Sequence, residues 1–189
     1  MSRWSAIRKA KEWLERKPVY LDTETTGLGN DAEIVEIAIV DSEGATVLNT
    51  LVRPKGEVPA DAVKVHGISA AMLKSQPTWA EVWPRVRAAL SNKLVLIYNA
   101  EYDIRLMRQT SALYGIEFDI PGMEVGDLLE LYSEFKGVRG QDGQMRRWRL
   151  EQVGQELRIP IPNSHRALDD TLLARAVHLK IASEPMPWG

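Results

Sequence analysis

Hydrophobic residues recur with two different periods along the chain, and each change of period marks a new element. Apolar and β-branched runs at 19–21, 34–40 and 45–52, with a turn at 41–44, predict three antiparallel strands. Two further apolar runs, at 94–98 and 123–126, predict strands that each precede a helix. Helical spacing predicts helices over 2–17, 79–90, 102–114, 128–135, 150–157 and 167–181, with shorter pieces at 60–65 and 70–74. A strand meander followed by strand–helix alternation indicates a mixed α/β domain.

Composition and charge describe an ordinary globular chain. Its 189 residues fit one domain with a sizeable core, and 44% of them are hydrophobic and 26% charged. A net charge of −2 is unusual for a protein that holds nucleic acid by electrostatics alone. The absence of cysteine excludes disulfides, thiolate metal ligands and a cysteine nucleophile. Because the sequence has no apolar run of about 18 residues and no signal-peptide core, we expect a cytoplasmic protein that does not enter a membrane.

Two carboxylates lie at the end of the first predicted strand. Asp22 and Glu24 are two residues apart, so their side chains project from the same face of the strand. Neighbouring carboxylates repel each other unless a cation lies between them. Hard divalent ions such as Mg²⁺ prefer oxygen ligands of this kind. An Asp-x-Glu pair alone is also compatible with a solvated strand face.

Two further blocks accompany this pair. The order Asp22-x-Glu24-x-x-Gly, then Asn-x-x-x-Asp103, then His165-x-x-x-x-Asp170 resembles the DnaQ-like 3′–5′ exonucleases of the DEDDh type. The resemblance covers about residues 18–182 and includes the Val-His-Gly-Ile-Ser segment that such enzymes carry before their second block. It implies an α/β ribonuclease H-like fold. In that fold a mixed five-stranded sheet, whose first three strands are antiparallel, is flanked by helices.

The resemblance also implies an active site with two Mg²⁺ or Mn²⁺ ions. Carried over position by position, the metal ligands are Asp22, Glu24, Asp103 and Asp170, with Asp22 bridging both ions. His165 would then take the proton of the attacking water, a task that suits an imidazole at neutral pH. Since His165 and Asp170 are five residues apart, we expect His165 on a loop or at a helix start and Asp170 inside the helix.

Five further residues are predicted to contact the substrate: Thr25, Gly27, Leu28, His66 and Asn99. Leu28 is either an apolar wedge that stacks on the terminal base or a core residue. Gly27 is expected to supply an unusual backbone angle in a tight turn. His66 either lines the pocket for the 3′-terminal nucleotide or caps a loop. Asn99 either binds substrate or positions the adjacent helix.

The second block departs from the commoner family form at two aromatic positions. Tyr98 stands where His is frequent, and Tyr102 stands where Phe is frequent. Both changes should preserve packing, and the two added hydroxyl groups are candidates for contacts with phosphate or water. His178, two turns past Asp170 on an apolar helix face, is interpreted as structural.

The most basic stretch of the chain precedes the third block. It contains Arg139, Arg146, Arg147 and Arg149 with Trp148. Charge runs of this kind are usually solvated loops. Only the mixture of cations with an aromatic ring supports the alternative, a surface that guides a nucleic-acid strand towards the site.

The chain is predicted to divide into an N-terminal helical extension (1–17), an exonuclease domain (18–182) and a C-terminal tail (183–189). The basic extension could dock a partner, bind phosphates or cover the sheet with Trp4 and Trp13.

Two classes of function follow from these observations. The first is a metal-dependent 3′–5′ exonuclease that acts on single-stranded DNA or RNA 3′ ends, with DNA favoured, and releases nucleoside 5′-monophosphates. The second is a nucleic-acid-binding or polymerase-associated accessory module. The intact acidic and histidine positions favour the enzyme. Because the sequence ends about 19 residues past Asp170, we expect a free-standing trimming or repair enzyme rather than a tethered proofreading subunit, and no protein partner is indicated.

Overall fold

A computed structural model describes residues 2–186 of the chain. The five strands are β1 (Val19–Thr25), β2 (Ile34–Val40), β3 (Thr46–Leu51), β4 (Leu94–Ile97) and β5 (Glu124–Asp127). The helices are α1 (Arg3–Glu15), α2 (Ala60–His66), α3 (Ala70–Leu73), α4 (Trp79–Leu90), α5 (Ala100–Leu113), α6 (Leu128–Lys136), α7 (Leu150–Glu156) and α8 (Ala167–Ser183).

The strands form one mixed sheet in the order β3-β2-β1-β4-β5. β1 pairs with β2, and β2 with β3, in antiparallel register, whereas β4 runs parallel to β1, and β5 to β4. The predicted meander and the ribonuclease H-like fold are therefore confirmed. Because β1, β4 and β5 are parallel, their carboxyl ends meet at one edge of the sheet, which is where open α/β sheets carry their sites.

Helices cover both faces of the sheet. On one face α4 and α5 enclose a core that includes Leu21, Trp79 and Leu106. On the other face α1, α6 and α8 enclose a second core that includes Tyr20 and Leu131. Successive residues of β1 alternate between these two cores, as the pleat requires.

The N-terminal helix is part of the second core. Ala6, Ile7 and Ala10 are fully buried, and Trp13 packs against the same cluster. Trp4, by contrast, is 43% exposed, so only one of the two tryptophans covers the sheet. The division of the chain at residue 17 stays a prediction.

His178 is structural, as the sequence indicated. Its Nδ1 lies 2.7 Å from the hydroxyl of Tyr20, and its Nε2 lies 2.9 Å from the carbonyl oxygen of Ala10. Burial lowers the pKa of this imidazole to about 4. The neutral ring therefore joins α8 to β1 and α1.

Element ends deviate by a few residues from the predicted ones. The first helix stops before Lys17, which adopts a left-handed backbone (φ 49°) next to Pro18. α5 begins at Ala100 rather than at Tyr102. α8 continues through Ser183, and residues 187–189 of the predicted tail lie outside the described residues. None of the helices within residues 2–186 combines the length and the apolar character needed to cross a bilayer.

Candidate active site

Three of the four predicted metal ligands come together at the carboxyl end of β1. Carboxylate oxygens of Asp22, Glu24 and Asp170 all lie within 4.8 Å of one another. Asp22 and Glu24 share the face of β1 on which Tyr20 packs towards α8, and α8 carries Asp170. Strand alternation and the docking of α8 thus produce the cluster.

Asp103 reaches the site from the other face. It is buried in the first turn of α5, and its Oδ1 accepts a hydrogen bond from the hydroxyl of Thr23 at 2.7 Å. Thr23 points away from Asp22 and Glu24 because residues of a strand alternate, so Asp103 does not belong to the 4.8 Å cluster. Its charge nevertheless raises the pKa of Asp22.

The three carboxylates of the cluster have raised pKa values, as expected for a site that binds a cation. Burial raises the pKa of Asp22 well above its usual range, and the charges of the neighbouring carboxylates raise it further. Burial, with the charges of Asp170 and Glu36, raises the pKa of Glu24 to about 8. Burial raises the pKa of Asp170 to about 6. Removal of water and mutual repulsion both disfavour the ionised carboxylates, and a bound cation would reverse both effects.

The oxygen-only donor set fits a hard divalent ion such as Mg²⁺ or Mn²⁺. Three carboxylates at the end of a rigid strand and in the first turn of a helix are held by the fold itself. Asp103 adds a fourth carboxylate nearby, fixed by Thr23. The residues present therefore fit the implied metal.

His165 lies on the loop before α8, as predicted, and Asp170 lies in the helix. The histidine is exposed and has a left-handed backbone (φ 52°), a conformation that costs a non-glycine residue about 1 kcal/mol. The strained turn directs the chain into α8 and leaves His165 on the wall of a cleft that Asp22 and Asp170 also line.

A buried glutamate that sequence reasoning missed holds the start of α8. Glu36 of β2 is 3% exposed. Its carboxylate accepts two hydrogen bonds from the guanidinium of Arg166, at 2.6 and 3.0 Å, and one from the backbone N–H of Ala167 at 2.9 Å. Bidentate pairing with an arginine is directional, so the contact sets the orientation of the helix start. A charged residue within an otherwise apolar strand was the available signal, because a buried charge needs a partner.

A second carboxylate that the sequence did not single out organises the neighbouring loop. Asp127, at the end of β5, accepts hydrogen bonds from the backbone N–H groups of Asn99 (3.2 Å) and Ala100 (2.9 Å) at the start of α5. It also caps α6 by accepting from Leu129. The position of Asp103 in α5 depends on this anchor.

Leu28 is 80% exposed, so the core-packing interpretation is wrong. The turn that carries it is fixed by α5, since Arg105 donates to the carbonyl oxygen of Leu28 at 3.2 Å and Gln109 donates to that of Gly29 at 3.1 Å. An exposed leucine on a braced turn is available for contact with a ligand. Its role as a wedge stays a prediction.

Leu28 stands at the border of two clefts. The first, here called the terminal cleft, has a volume of about 500 Å³ and is lined by Glu24, Thr25, Leu28, Val65 and His66 among others. The second, here called the hairpin cleft, has a volume of about 860 Å³ and is lined by residues that include Asp22, Leu28, Arg147, Arg149, His165 and Asp170. The acidic cluster therefore opens into both clefts.

Gly27 does not have the backbone conformation that the sequence suggested. Its φ lies outside the left-handed region, and a Cβ there would meet nothing within 4 Å. The turn is held by hydroxyl groups instead. Those of Thr25 and Tyr102 lie 2.6 Å apart, and both reach the carbonyl oxygen of Gly27, at 2.8 and 2.9 Å. The Tyr102 hydroxyl, expected near phosphate or water, is thus used within the protein.

His66 supports the loop and also lines the terminal cleft. The backbone N–H of Ile68 donates to its Nδ1 at 3.0 Å, so its Nε2 carries the proton and donates to the carbonyl oxygen of Thr25 at 3.2 Å. Both interpretations of His66 are compatible with this geometry. The contact with Thr25 joins α2 to the end of β1.

Asn99 has a left-handed backbone (φ 67°) and precedes α5 directly. Its Oδ1 accepts a hydrogen bond from the guanidinium of Arg147 at 2.6 Å. The hydroxyl of Tyr98, the other aromatic departure, donates to the carbonyl oxygen of Trp148 at 2.7 Å instead of meeting solvent or phosphate. Two consecutive residues of the second block thus hold the basic stretch.

The comparisons with known proteins agree with the site. Residues 19–177 match the family RNase T, described as exonuclease. The uncharacterized exonuclease CP81 of Escherichia phage 186 is 39% identical over 168 residues, which are 86% of this chain and 87% of the phage protein. The DNA polymerase III subunit epsilon-like protein of Rhodobacter capsulatus is 34% identical over 173 residues, which are 86% of this chain but 23% of that protein.

The fold also has a solved counterpart. The structure of exonuclease X in complex with 5′ overhanging duplex DNA superposes with a TM-score of 0.66 at 24% identity, over 86% of this chain and 89% of that one. The family match spans most of the chain, and the phage relative aligns along most of its own length. The chain therefore belongs to the RNase T family of DnaQ-like exonucleases, a family of phosphodiester hydrolases.

Proposed function

We propose that this chain is a metal-dependent 3′–5′ exonuclease that shortens single-stranded DNA from its 3′ end and releases nucleoside 5′-monophosphates. The observation that carries the proposal is the cluster of Asp22, Glu24 and Asp170, three carboxylates within 4.8 Å of one another at the border of two clefts.

Two Mg²⁺ or Mn²⁺ ions would be held by Asp22, Glu24, Asp103 and Asp170. Bound there, the ions would neutralise phosphate charge and lower the pKa of the attacking water. The chain itself supplies the placement of these ligands. Thr23 fixes Asp103, and the Glu36–Arg166 pair fixes the helix that carries Asp170.

His165 is proposed as the general base that accepts the proton of the attacking water. It lines the same cleft as Asp22 and Asp170, and its side chain is exposed and free of the packing that immobilises His178. An imidazole can accept and release a proton at neutral pH, which this role requires.

The terminal cleft is proposed to hold the 3′-terminal nucleotide. Leu28 would stack on its base, and His66, Thr25 and Gly27 would shape or contact the pocket. Asn99 lines the hairpin cleft instead and would contact the substrate from there. If the cleft takes only the last nucleotide, cleavage requires a free 3′ end, which is the physical reason for exonucleolytic action.

DNA is favoured over RNA because one relative is named for DNA polymerase III. An exoribonuclease is the alternative within the same chemistry. A polymerase-associated accessory module is the alternative from another class, and the same relative's name supports it, although this chain spans 23% of that protein. The intact carboxylate cluster favours the enzyme.

The test uses matched DNA and RNA oligonucleotides of one sequence, labelled at the 5′ or the 3′ end, with Mg²⁺, with Mn²⁺ and with excess chelator. We expect 3′-labelled strands to give mononucleotides at once and 5′-labelled strands to give a descending ladder. DNA should react faster than RNA, and chelator should abolish both reactions.

Two controls accompany the test. Asp22→Ala should bind no metal and cleave nothing, while a covalently closed single-stranded circle should resist the wild-type enzyme. Cleavage of the circle would indicate an endonuclease. Full activity of Asp22→Ala, or full activity in chelator, would exclude the metal-dependent mechanism.

A further inference from the structure

We propose that residues 138–149, here called the arginine hairpin, bind the phosphodiester backbone of the nucleotides that lie 5′ to the scissile bond, through Arg147 and Arg149. This inference rests on the proposed function and adds the part of the site that grips the strand.

The arginine hairpin is exposed to solvent, but contacts within it hold its shape. Arg139 and Met145 form an antiparallel bridge, and the backbone N–H of Arg146 donates to the carbonyl oxygen of Val138 at 2.9 Å. The guanidinium of Arg139 donates to the carbonyl oxygen of Gly143 at 2.6 Å and closes the turn. Its shape is therefore fixed before any ligand arrives.

The arginine hairpin is also attached to the active site at two consecutive residues. Tyr98 donates its hydroxyl to the carbonyl oxygen of Trp148 (2.7 Å), and Arg147 donates to Asn99 (2.6 Å). Tyr98 and Asn99 lie between β4 and α5, the helix that carries Asp103. The tyrosine that departs from the commoner family form is thus one of the two residues that tether the arginine hairpin.

Trp148 anchors the arginine hairpin to α6. Its indole meets Tyr132 of α6 edge to face, with 6.0 Å between ring centroids, and the guanidinium of Arg146 covers it at 4.1 Å. Arg146 is occupied in this way. Arg147, which also donates to Asn99, and Arg149 are the arginines of the hairpin that line the hairpin cleft.

The charges of the hairpin cleft show what these two arginines can bind. Its lining includes the acidic residues Asp22, Glu151 and Asp170 together with Arg147 and Arg149. Within the described part of the chain, these two arginines are the permanent cations of that lining. They are exposed, so an anionic ligand can reach them from solvent.

The position of Leu28 gives the direction of the strand. Leu28 lines both clefts, Glu24 lines the terminal cleft, and Asp22 and Asp170 line the hairpin cleft. If the last nucleotide occupies the terminal cleft, its phosphodiester lies at the acidic cluster, and the preceding nucleotides pass Leu28 into the hairpin cleft. Their phosphates then meet Arg147 and Arg149.

The experiment measures kcat and KM for DNA oligonucleotides of two, four, eight and twelve nucleotides, at several salt concentrations, for the wild type and for Arg147→Ala, Arg149→Ala and the double variant. We expect the KM of the 12-mer to rise by about fivefold in each single variant, with kcat little affected. The increase in KM should become steadily smaller as the oligonucleotide shortens to the dinucleotide. In the double variant the salt slope of log(kcat/KM) for the 12-mer should fall by about 1.4 in magnitude, because each lost phosphate contact on a single strand removes about 0.7.

Two further variants make the test specific. Arg85→Ala removes the same charge from an exposed position on α4, on the other face of the sheet, and should leave both the length dependence and the salt slope unchanged. Tyr98→Phe keeps the ring and removes one of the two hydrogen bonds that tether the arginine hairpin. It should raise the KM of the 12-mer and accelerate hydrogen exchange across residues 138–149.

The outcomes separate this inference from the proposed function. Equal losses for all lengths would place Arg147 and Arg149 at the reacting phosphate and overturn the inference, as would wild-type kinetics with the 12-mer. A wild-type protein that degrades no oligonucleotide of any length would instead overturn the proposed function.

Discussion

Removing one charge from the acidic cluster should stabilise the metal-free protein, and Glu24→Gln is the substitution that tests this. Glutamine keeps the size of the side chain and abolishes its ionisation. Glu24 lies within 4.8 Å of two other carboxylate oxygens, and burial with the charges of Asp170 and Glu36 raises its pKa from 4.5 to about 8. The fold therefore works against the ionised form.

The direction of the stability change follows from the protonation of Glu24 in the folded and in the unfolded chain. Below the unfolded pKa of 4.5 both the folded and the unfolded chain carry the proton, so Glu24 contributes no pH dependence there. Between 4.5 and about 8 the unfolded chain loses its proton first, so the folded state is progressively disfavoured as pH rises. Above both values the penalty is at most about 5 kcal/mol. Because water reaches the site through the clefts and screens the charge, we expect about 2–3 kcal/mol.

The assay is urea unfolding in excess chelator over this pH range. We expect Glu24→Gln to raise the free energy of unfolding by about 2–3 kcal/mol near pH 8, with an unchanged m-value, and to have almost no effect near pH 4. With saturating Mg²⁺ the order should reverse, since the wild type gains the binding free energy of the metal and the variant loses a ligand.

Glu33 offers a matched control. It is more buried than Glu24, and its carboxylate accepts hydrogen bonds from the backbone N–H groups of Lys55 (2.9 Å) and Gly56 (2.7 Å). Glu33→Gln should therefore destabilise the protein, by about 1–2 kcal/mol, because it weakens charge-assisted hydrogen bonds. A Glu24→Gln variant no more stable than the wild type near pH 8, or one with the same gain near pH 4, would refute the electrostatic reasoning.

Three further predictions concern the roles of single residues. His165→Ala should lower kcat by about 10²–10⁴-fold and leave Mn²⁺ binding intact, whereas Asp103→Ala should lower kcat and also weaken Mn²⁺ binding. Calorimetric titration of Mn²⁺ into the two variants measures this difference. If both variants lose Mn²⁺ equally, His165 is not the general base. Leu28→Ala should raise the KM for oligonucleotides by about tenfold. It should leave the stability of the protein unchanged, because Leu28 is 80% exposed, and a large drop in the thermal midpoint of unfolding would instead indicate a packing role. Glu36→Gln should lower the free energy of unfolding by about 1–3 kcal/mol and lower kcat, because Arg166 loses its bidentate partner at the start of α8. If denaturant unfolding and turnover both give wild-type values, the pair does not position the helix.

Much of the architecture was predictable because its signals are local. Alternation with a period of two placed Asp22 and Glu24 on one face of β1, and the structure brings their oxygens within 4.8 Å of Asp170. The spacing of His165 and Asp170 is longer than one helical turn, which correctly separated a loop residue from a helix residue. Strand alternation and helical pitch depend on the backbone, so they can be inferred without knowing what packs against it.

Only the tertiary structure determined which residues that are far apart in the chain pair with each other. Glu36 and Arg166 are 130 residues apart, and Tyr98 and Trp148 are 50 apart, yet each pair fixes a segment of the site. Neither the exposure of Leu28 nor the ordinary backbone of Gly27 could be inferred from their neighbours in sequence. A buried charge or hydroxyl must find a partner, but the sequence does not say which one, because the choice depends on how the helices dock on the sheet.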